Sequence, residues 1–309
     1  MSRKVLITAK VHPYLTDQLQ SKGFEVIYEP NISYEEVYAA IGDCVGLIVT
    51  TRIRVDKHII DHARQLEWIG RLGSGMELID VPYAESKGIH CVSSPEGNRD
   101  PVGEQAVGML LTLMHNVLKS NLELRRGIWE RDGNRAWELG GKTVAIIGFG
   151  HTGSTFANKL KGFDVNIIAH DKYKKGFGTA AIREVSMEEV YQHADIVSLH
   201  LPLTPETMHL ANASFFESFA HPIWFMNTAR GKLVNNRDLI AALENGQVRG
   251  ACLDVLENEK LNTYSAEDKE QLQYFLDAQN VVLTPHIAGY SHEASIRMPR
   301  VVLEKLNII

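Results

Sequence analysis

The stretch "VAIIGFGHTGST", residues 144–155, decides how the chain is read. Two phosphate-binding turns compete for it. A P-loop, G-x-x-x-x-G-K-[ST], is met by Gly148 and Gly153, but Ser154 stands where the lysine must be. The pattern G-x-G-x-x-G is complete in Gly148, Gly150 and Gly153. It follows "TVAIIG" (143–148), an apolar run that reads as a buried strand, and precedes the helix-like "STFANKLKGF" (154–163). Strand, glycine turn and helix in that order make a dinucleotide-binding turn. Its pyrophosphate lies at the helix N-terminus, where unpaired N–H groups and the dipole favour an anion.

Asp171 ends the next apolar run, 18 residues after Gly153. A carboxylate there accepts from the ribose hydroxyls and repels a 2′-phosphate, so NAD is expected over NADP. Lys172, Lys174 and Lys175 beside it work in the other direction, since lysines could tolerate that phosphate. Further runs follow: "VNIIAH" (165–170), "ADIVSLHLP" (194–202), "PIWFMNTA" (222–229), "VRGACLDV" (248–255) and "NVVLTPH" (280–286). With "TVAIIG" they make six strands, as two mononucleotide-binding halves require.

Upstream, "KVLITA", "FEVIYE", "GLIVTT", "EWIGRLG" and "IHCVSS" alternate with helical patterns such as "YEEVYAAIG", which argues for another parallel sheet with crossover helices. One long helix is expected from about Glu104 to Glu123, and another in the tail "SHEASIRMPRVVLEKLNII". The expected fold class is α/β. A Rossmann dinucleotide-binding domain, 100–289, is inserted into a flavodoxin-like parallel α/β substrate domain, 1–99 plus 290–309.

Composition narrows the classes of function. The 309 residues carry a net charge of −6, which leaves no broad basic surface for nucleic acid. No apolar run approaches the ~20 residues that span a bilayer. The N-terminus turns polar at Lys10 and reads as a first strand rather than a leader. Cys44, Cys91 and Cys252 are scattered without C-x-x-C spacing, which suits a reducing cytoplasm. His58 and His62, four apart on an expected helix, have no third metal ligand nearby, and no metal is expected.

Three stretches place chemistry at carboxyl ends of expected strands, where open α/β sheets hold ligands: "NTARGKLVN" with Arg230, "LDVLENE" with Asp254, Glu257 and Glu259, and "LTPHIAGYSHEA" with His286. Such a set could bind and reduce a keto acid. Arg230 would bind the carboxylate and polarise the carbonyl, and His286 would protonate the developing alkoxide. Glu259, paired with the imidazole, would orient it and favour its protonated form.

From Gly46 to Ala294 the chain resembles the D-isomer-specific 2-hydroxyacid dehydrogenase family, which includes D-lactate, glycerate, glyoxylate/hydroxypyruvate and 3-phosphoglycerate dehydrogenases. "ADIVSLHLPLTPETMHL", "NTARG", "LDV" and "TPHIAG" carry the resemblance in the family's order. It implies an NAD-dependent enzyme with Arg230, Glu259 and His286 as the catalytic trio, and its "LDVFxxE" spacing selects Glu259 over Glu257. Asp254 is similar to an aspartate that contacts the nicotinamide carboxamide. His151, Thr152, Pro202, Thr228, Ala229 and Gly289 match positions that line the dinucleotide. "GRLGSGMELIDV" (70–81) resembles the substrate loop, where Gly73 and Gly75 let the N–H groups of Ser74 and Gly75 approach a carboxylate. Arg52, which with Arg54 is expected on one face of a strand in "TTRIRVD", aligns with a position that can face a substrate's far end.

The substrate therefore stays open among 3-phosphoglycerate, glycerate/hydroxypyruvate and glycolate/glyoxylate. Departures leave the pocket less defined: Glu77-Leu78 for aspartate-asparagine, "VGEQ" (102–105) for "VAEH", and Lys260 for a common proline. Ending at Ile309, the chain is expected to lack the regulatory domain of many phosphoglycerate dehydrogenases. Corepressors of the same fold, which sense the dinucleotide and bind partner peptides, are the alternative reading. The resemblance implies a homodimer, with its contact expected on the long helix and the arm "RRGIWERDGNRAWEL" carrying Trp129 and Trp137.

Overall fold

The computed structural model describes residues 3–309. By compactness the chain divides into two units, one running to Pro101 and resuming at Gly289–Ile309, the other Val102–Ala288. The first unit holds β1 (Arg3–Ile7), β2 (Phe24–Tyr28), β3 (Cys44–Val49), β4 (Trp68–Arg71) and β5 (His90–Ser93). They form one parallel sheet in the order β2-β1-β3-β4-β5. Period-two alternation divides its core between the faces. Leu6, Leu47 and Ile69 meet Val37, Ile59 and Ala84 of the helices Tyr34–Ala40, Lys57–His62 and Val81–Ser86. Val5, Ile48 and Trp68 meet Leu15 and Leu19 of Pro13–Ser21 with Val302 and Leu303 of the tail helix His292–Lys305.

The second unit holds β6 (Thr143–Ile147), β7 (Asn166–His170), β8 (Ile182–Glu184), β9 (Ile196–Leu199), β10 (Ile223–Asn227), β11 (Val248–Leu253) and β12 (Val281–Leu283). Its parallel order is β12-β11-β10-β9-β6-β7-β8. The chain leaves β6 in one direction for β7 and β8, and returns past β6 to β9, so the crevice opens at the carboxyl ends of β6 and β9. The fold class is the one expected. Among the described residues no helix is long and apolar enough to cross a membrane, and no group of side chains could hold a metal ion. His58 and His62 instead stack on Tyr38, with centroids 4.3 and 4.1 Å away.

Three local expectations are corrected. The second sheet has seven strands rather than six. The extra one, β8, is a three-residue edge strand with one buried apolar residue, Ile182, too short to show alternation. The single helix expected over Glu104–Glu123 is two, Pro95–Met114 and Val117–Arg125. Between them Asn116 takes φ 53°, a left-handed conformation that asparagine tolerates and that breaks the helical ladder. Arg52 and Arg54 do not share a strand face, because β3 stops at Val49 and the chain bends at Thr51 and Arg52.

Pro101 lies inside its helix and has no N–H to give the carbonyl four residues back, Gly97. That carbonyl accepts instead from Arg297 Nε at 3.2 Å, on the tail helix. Gly97 permits the approach: a Cβ there would lie 2.7 Å from the Met298 backbone. Arg297→Leu should leave the carbonyl without its donor and lower stability by about 1–2 kcal/mol, read as the urea midpoint shift at unchanged slope. An unmoved midpoint would remove this bond from the account.

Candidate active site

The nucleotide crevice is built from backbone before side chains. Gly148 (φ 93°) has no room for a side chain, since a Cβ would lie 2.5 Å from the His200 carbonyl. At Gly153 a Cβ would lie 2.1 Å from the Gly148 carbonyl, so the helix His151–Lys159 packs directly on its own turn. Gly150 differs: nothing lies within 4 Å of its Cβ position. It is the N-cap of that helix and makes no side-chain capping bond, so the first turn presents its N–H groups to the open space a pyrophosphate needs. The sequence pattern thus acquires three distinct physical roles.

Asp171, just after β7, stands at the position expected for the ribose acid. Its Oδ2 accepts from Phe149 N (2.8 Å), and Oδ1 from Lys174 N (2.9 Å) and Tyr173 N (3.0 Å). Partial burial pushes this carboxyl up, but the three N–H donors outweigh it and hold the pKa below the usual aspartate value. The negative charge is therefore permanent at neutral pH. Thr228 follows β10 and is 8% exposed, and its Oγ1 is buried without a hydrogen-bond partner. A buried hydroxyl left unpaired costs ~1–3 kcal/mol, so a ligand atom is expected there. The open turn and this hydroxyl fit a dinucleotide. Pro202, exposed, and Ala229, half-buried, stand on the neighbouring loops after β9 and β10.

The candidate catalytic residues depend on one carboxylate. Asp254, just after β11, is 1% exposed. Its Oδ1 accepts from Thr284 Oγ1 (2.5 Å) and Ile287 N (2.9 Å), and its Oδ2 from Ala288 N (2.9 Å). Its own carbonyl accepts from His286 N at 2.7 Å. The loop after β12 is thereby pinned on both sides of His286, which sits at φ 55°, a conformation uncommon for a side-chain-bearing residue and concentrated at functional sites. His286 Nδ1 then lies 3.0 and 2.9 Å from the two oxygens of Glu259. Glu257 goes elsewhere, to His209 Nε2 at 2.5 Å. Burial raises the Glu257 pKa, and His209 offsets that only in part.

Arg230 leaves β10 through a turn held by Asn227, which is fully buried. Asn227 donates to the Arg230 carbonyl (2.9 Å) and accepts from Ala229 N (3.0 Å). Gly231 must be glycine, as a Cβ there would overlap the Leu256 carbonyl at 1.8 Å.

In the first unit, Ser74 and Gly75 follow β4. Ser94 Oγ accepts from Gly73 N (2.9 Å), and Ser74 Oγ donates to Asn98 Oδ1 (2.9 Å). No described residue accepts from the N–H of Ser74 or Gly75, which leaves both for a carboxylate. Gly289, expected at the cofactor, falls in this unit and packs on Asn98, whose Nδ2 would lie 2.8 Å from a Cβ. Arg52 stands at the carboxyl end of β3 and donates to the Ile32 carbonyl (2.8 Å) and, more weakly, to that of Thr8 (3.4 Å).

The model of the D-isomer specific 2-hydroxyacid dehydrogenase, NAD binding domain, matches residues 107–288. The chain belongs to this family. It is 32% identical over 300 residues to a human D-3-phosphoglycerate dehydrogenase, covering 96% of this chain and 54% of that protein. The chain thus spans about half the length of such relatives. Among solved structures, the TT0316 protein from Thermus thermophilus superposes with a TM-score of 0.86 at 28% identity, covering 98% of this chain and 96% of the other. A D-2-hydroxyisocaproate dehydrogenase gives 0.86 at 25% identity, covering 99% and 96%. The second unit is the family's NAD-binding domain.

Sequence reasoning passed over His200, which supports the glycine turn from beneath. It is 7% exposed, with Nε2 3.0 Å from Ser198 Oγ and Nδ1 3.2 Å from Thr152 Oγ1. The available signal was a histidine inside an apolar strand run, "IVSLHL". Burial pushes its pKa down to about 4, so the folded protein holds it neutral while the unfolded chain protonates it below about 6.5. The unfolded state binds more protons in that window, so stability falls as pH drops from 6.5 towards 4, by about 2 kcal/mol at pH 5. His200→Gln should flatten this part of the profile of urea stability against pH. An equal slope in both proteins would refute the assignment.

Proposed function

We propose that the protein is an NAD-dependent oxidoreductase that interconverts a small 2-keto acid and its D-2-hydroxy acid. The observation that carries this reading is the His286–Glu259 pair held in a pinned, left-handed loop. A carboxylate can only accept, so it keeps a proton on Nδ1 and leaves Nε2 as the nitrogen that exchanges one with substrate. NAD, when bound, supplies the hydride chemistry. In reduction, His286 Nε2 gives its proton to the carbonyl oxygen as that oxygen gains charge, and the ring ends neutral with Nδ1–H still on Glu259. In oxidation the same nitrogen accepts the hydroxyl proton. Arg230 binds the substrate carboxylate and polarises the carbonyl. Asp254 acts by keeping His286 in place.

The substrates in view are 3-phosphoglycerate, glycerate/hydroxypyruvate and glycolate/glyoxylate. Similarity to proteins named D-3-phosphoglycerate dehydrogenase favours the phosphorylated acid. Arg52 at the end of β3 supports the same choice, because a guanidinium already held by one edge has donors left for a phosphate.

The second unit also supports a homodimer. The helix Val117–Arg125 has no buried residue, and Leu118, Leu122, Leu124, Ile128 and Trp129 are exposed, Trp129 to 80%. An apolar surface of this kind marks an interaction site. Trp137 is partly engaged within the unit, edge-on to Trp224 with centroids 5.8 Å apart, so Trp129 is the stronger anchor.

NADH oxidation measured with phosphohydroxypyruvate, hydroxypyruvate, glyoxylate and pyruvate should show turnover and one favourite. His286→Ala should lower that turnover by ~100-fold or more while NADH fluorescence titration shows unchanged binding. Wild-type-like turnover would sink the acid assignment, and NADH binding without turnover of any acid would turn the reading towards a sensor. Sedimentation of the wild type should give a dimer and of Leu122→Glu a monomer; a monomeric wild type at micromolar concentration would dispose of the interface.

A further inference from the structure

The strand order β9-β6-β7 places the loops after β7 and β9 on either side of the glycine turn that follows β6. Those two loops are tied to each other. Lys172 pairs with one oxygen of Glu206, and the Tyr173 hydroxyl donates to the other. Glu206 is presented by a closed turn: Thr204 N donates to Thr207 Oγ1 (2.9 Å), Thr207 N to Thr204 Oγ1 (3.2 Å), and Thr207 Oγ1 to the Pro202 carbonyl (2.7 Å). The other two lysines beside the ribose position are also engaged. Lys174 Nζ donates to the Phe149 carbonyl (3.2 Å) above the Phe149 and Phe177 rings, and Lys175 Nζ to the Asp171 carbonyl (3.1 Å).

The lysine cluster thus presents less positive charge to a 2′-phosphate than its sequence suggests. Lys172, the lysine next to Asp171, is neutralised by a partner 34 residues away in the chain. We propose that Glu206 is a specificity-determining residue of this chain. By holding Lys172 and Tyr173 across the adenosine end of the crevice, it prevents Lys172 from pairing with a 2′-phosphate and so keeps the site selective for NAD over NADP. Glu206 acts through Lys172 and touches no reacting atom. The inference rests on the reading that this crevice takes a dinucleotide.

The test is binding to the intact protein by calorimetry, with 5′-ADP and 2′,5′-ADP as probes and NADH and NADPH beside them. Glu206→Gln removes the charge and keeps the shape. It should tighten 2′,5′-ADP and NADPH by about 5–10-fold and change 5′-ADP and NADH by less than about twofold, as expected when a charge-assisted contact is released for phosphate. Adding Lys172→Met should abolish that gain, whereas Lys172→Met alone should leave 2′,5′-ADP binding near the wild-type value. Equal changes for both ligands in Glu206→Gln would make Glu206 a strap without selectivity and overturn the proposal. So would a loss of 2′,5′-ADP affinity in Lys172→Met alone, because Lys172 would then be serving the phosphate despite Glu206. A wild type that binds neither NADH nor 5′-ADP would instead defeat the dinucleotide reading itself.

Discussion

A carboxylate 1% exposed must be compensated in place, and Asp254 is compensated almost entirely by one loop. Thr284, Ile287 and Ala288 all donate to it, so the charge at the end of β11 dictates the path of the chain after β12. The candidate catalytic arrangement depends on that constraint. His286 occupies a left-handed conformation that costs of order 1 kcal/mol or more and persists because the bonds around it leave no alternative. Once the backbone is fixed, the ring reaches Glu259 without further adjustment. Both partners are about half exposed, so the pair draws its definition from the buried carboxylate beneath and not from its own ion pairing, which solvent weakens.

The cofactor end is organised in a related way, by close backbone approaches on a neutral floor. Gly148 and Gly153 allow turn, helix and β9 to pack without side chains between them. His200 fills the space below and ties Thr152 to the strand. A charged group in that position would oppose its own burial, and a neutral imidazole offers one donor and one acceptor for two hydroxyls. Negative charge stands at the rim, on Asp171, where three backbone N–H groups stabilise it. The electrostatic character of the rim is then set by how the nearby lysines are paired, which involves loops separated by more than thirty residues.

Local signals carried much of this. Both parallel sheets were legible because nearly every strand is a short apolar run between turn residues, as burial on both faces requires. The glycine spacing was legible because backbone approach excludes every other residue. Arg230, Glu259 and His286 stood out as reactive residue types at strand ends. The errors came where the local signal was short or ambiguous. β8 has one buried apolar residue, and "EQAVGMLLTLMHNVLKSNLE" keeps an apolar pattern straight through the left-handed Asn116. "TTRIRVD" alternates as a strand does, although its arginines lie beyond the sheet.

What the sequence by itself determined is the kind of site: a dinucleotide turn, an acid at the end of the following strand, and an arginine, a glutamate and a histidine at strand ends. Those properties belong to residue type and spacing within a few positions. Family spacing pointed to Glu259 as the partner of His286, but the physical reason for that pairing lies in the tertiary structure. Glu257 and Glu259 are two residues apart and chemically alike, and only packing sends one to His209 and the other to His286. The same holds for the tasks of His200, Asn227 and Glu206. Each depends on a partner brought close by strand order, or by a turn that only the folded chain closes.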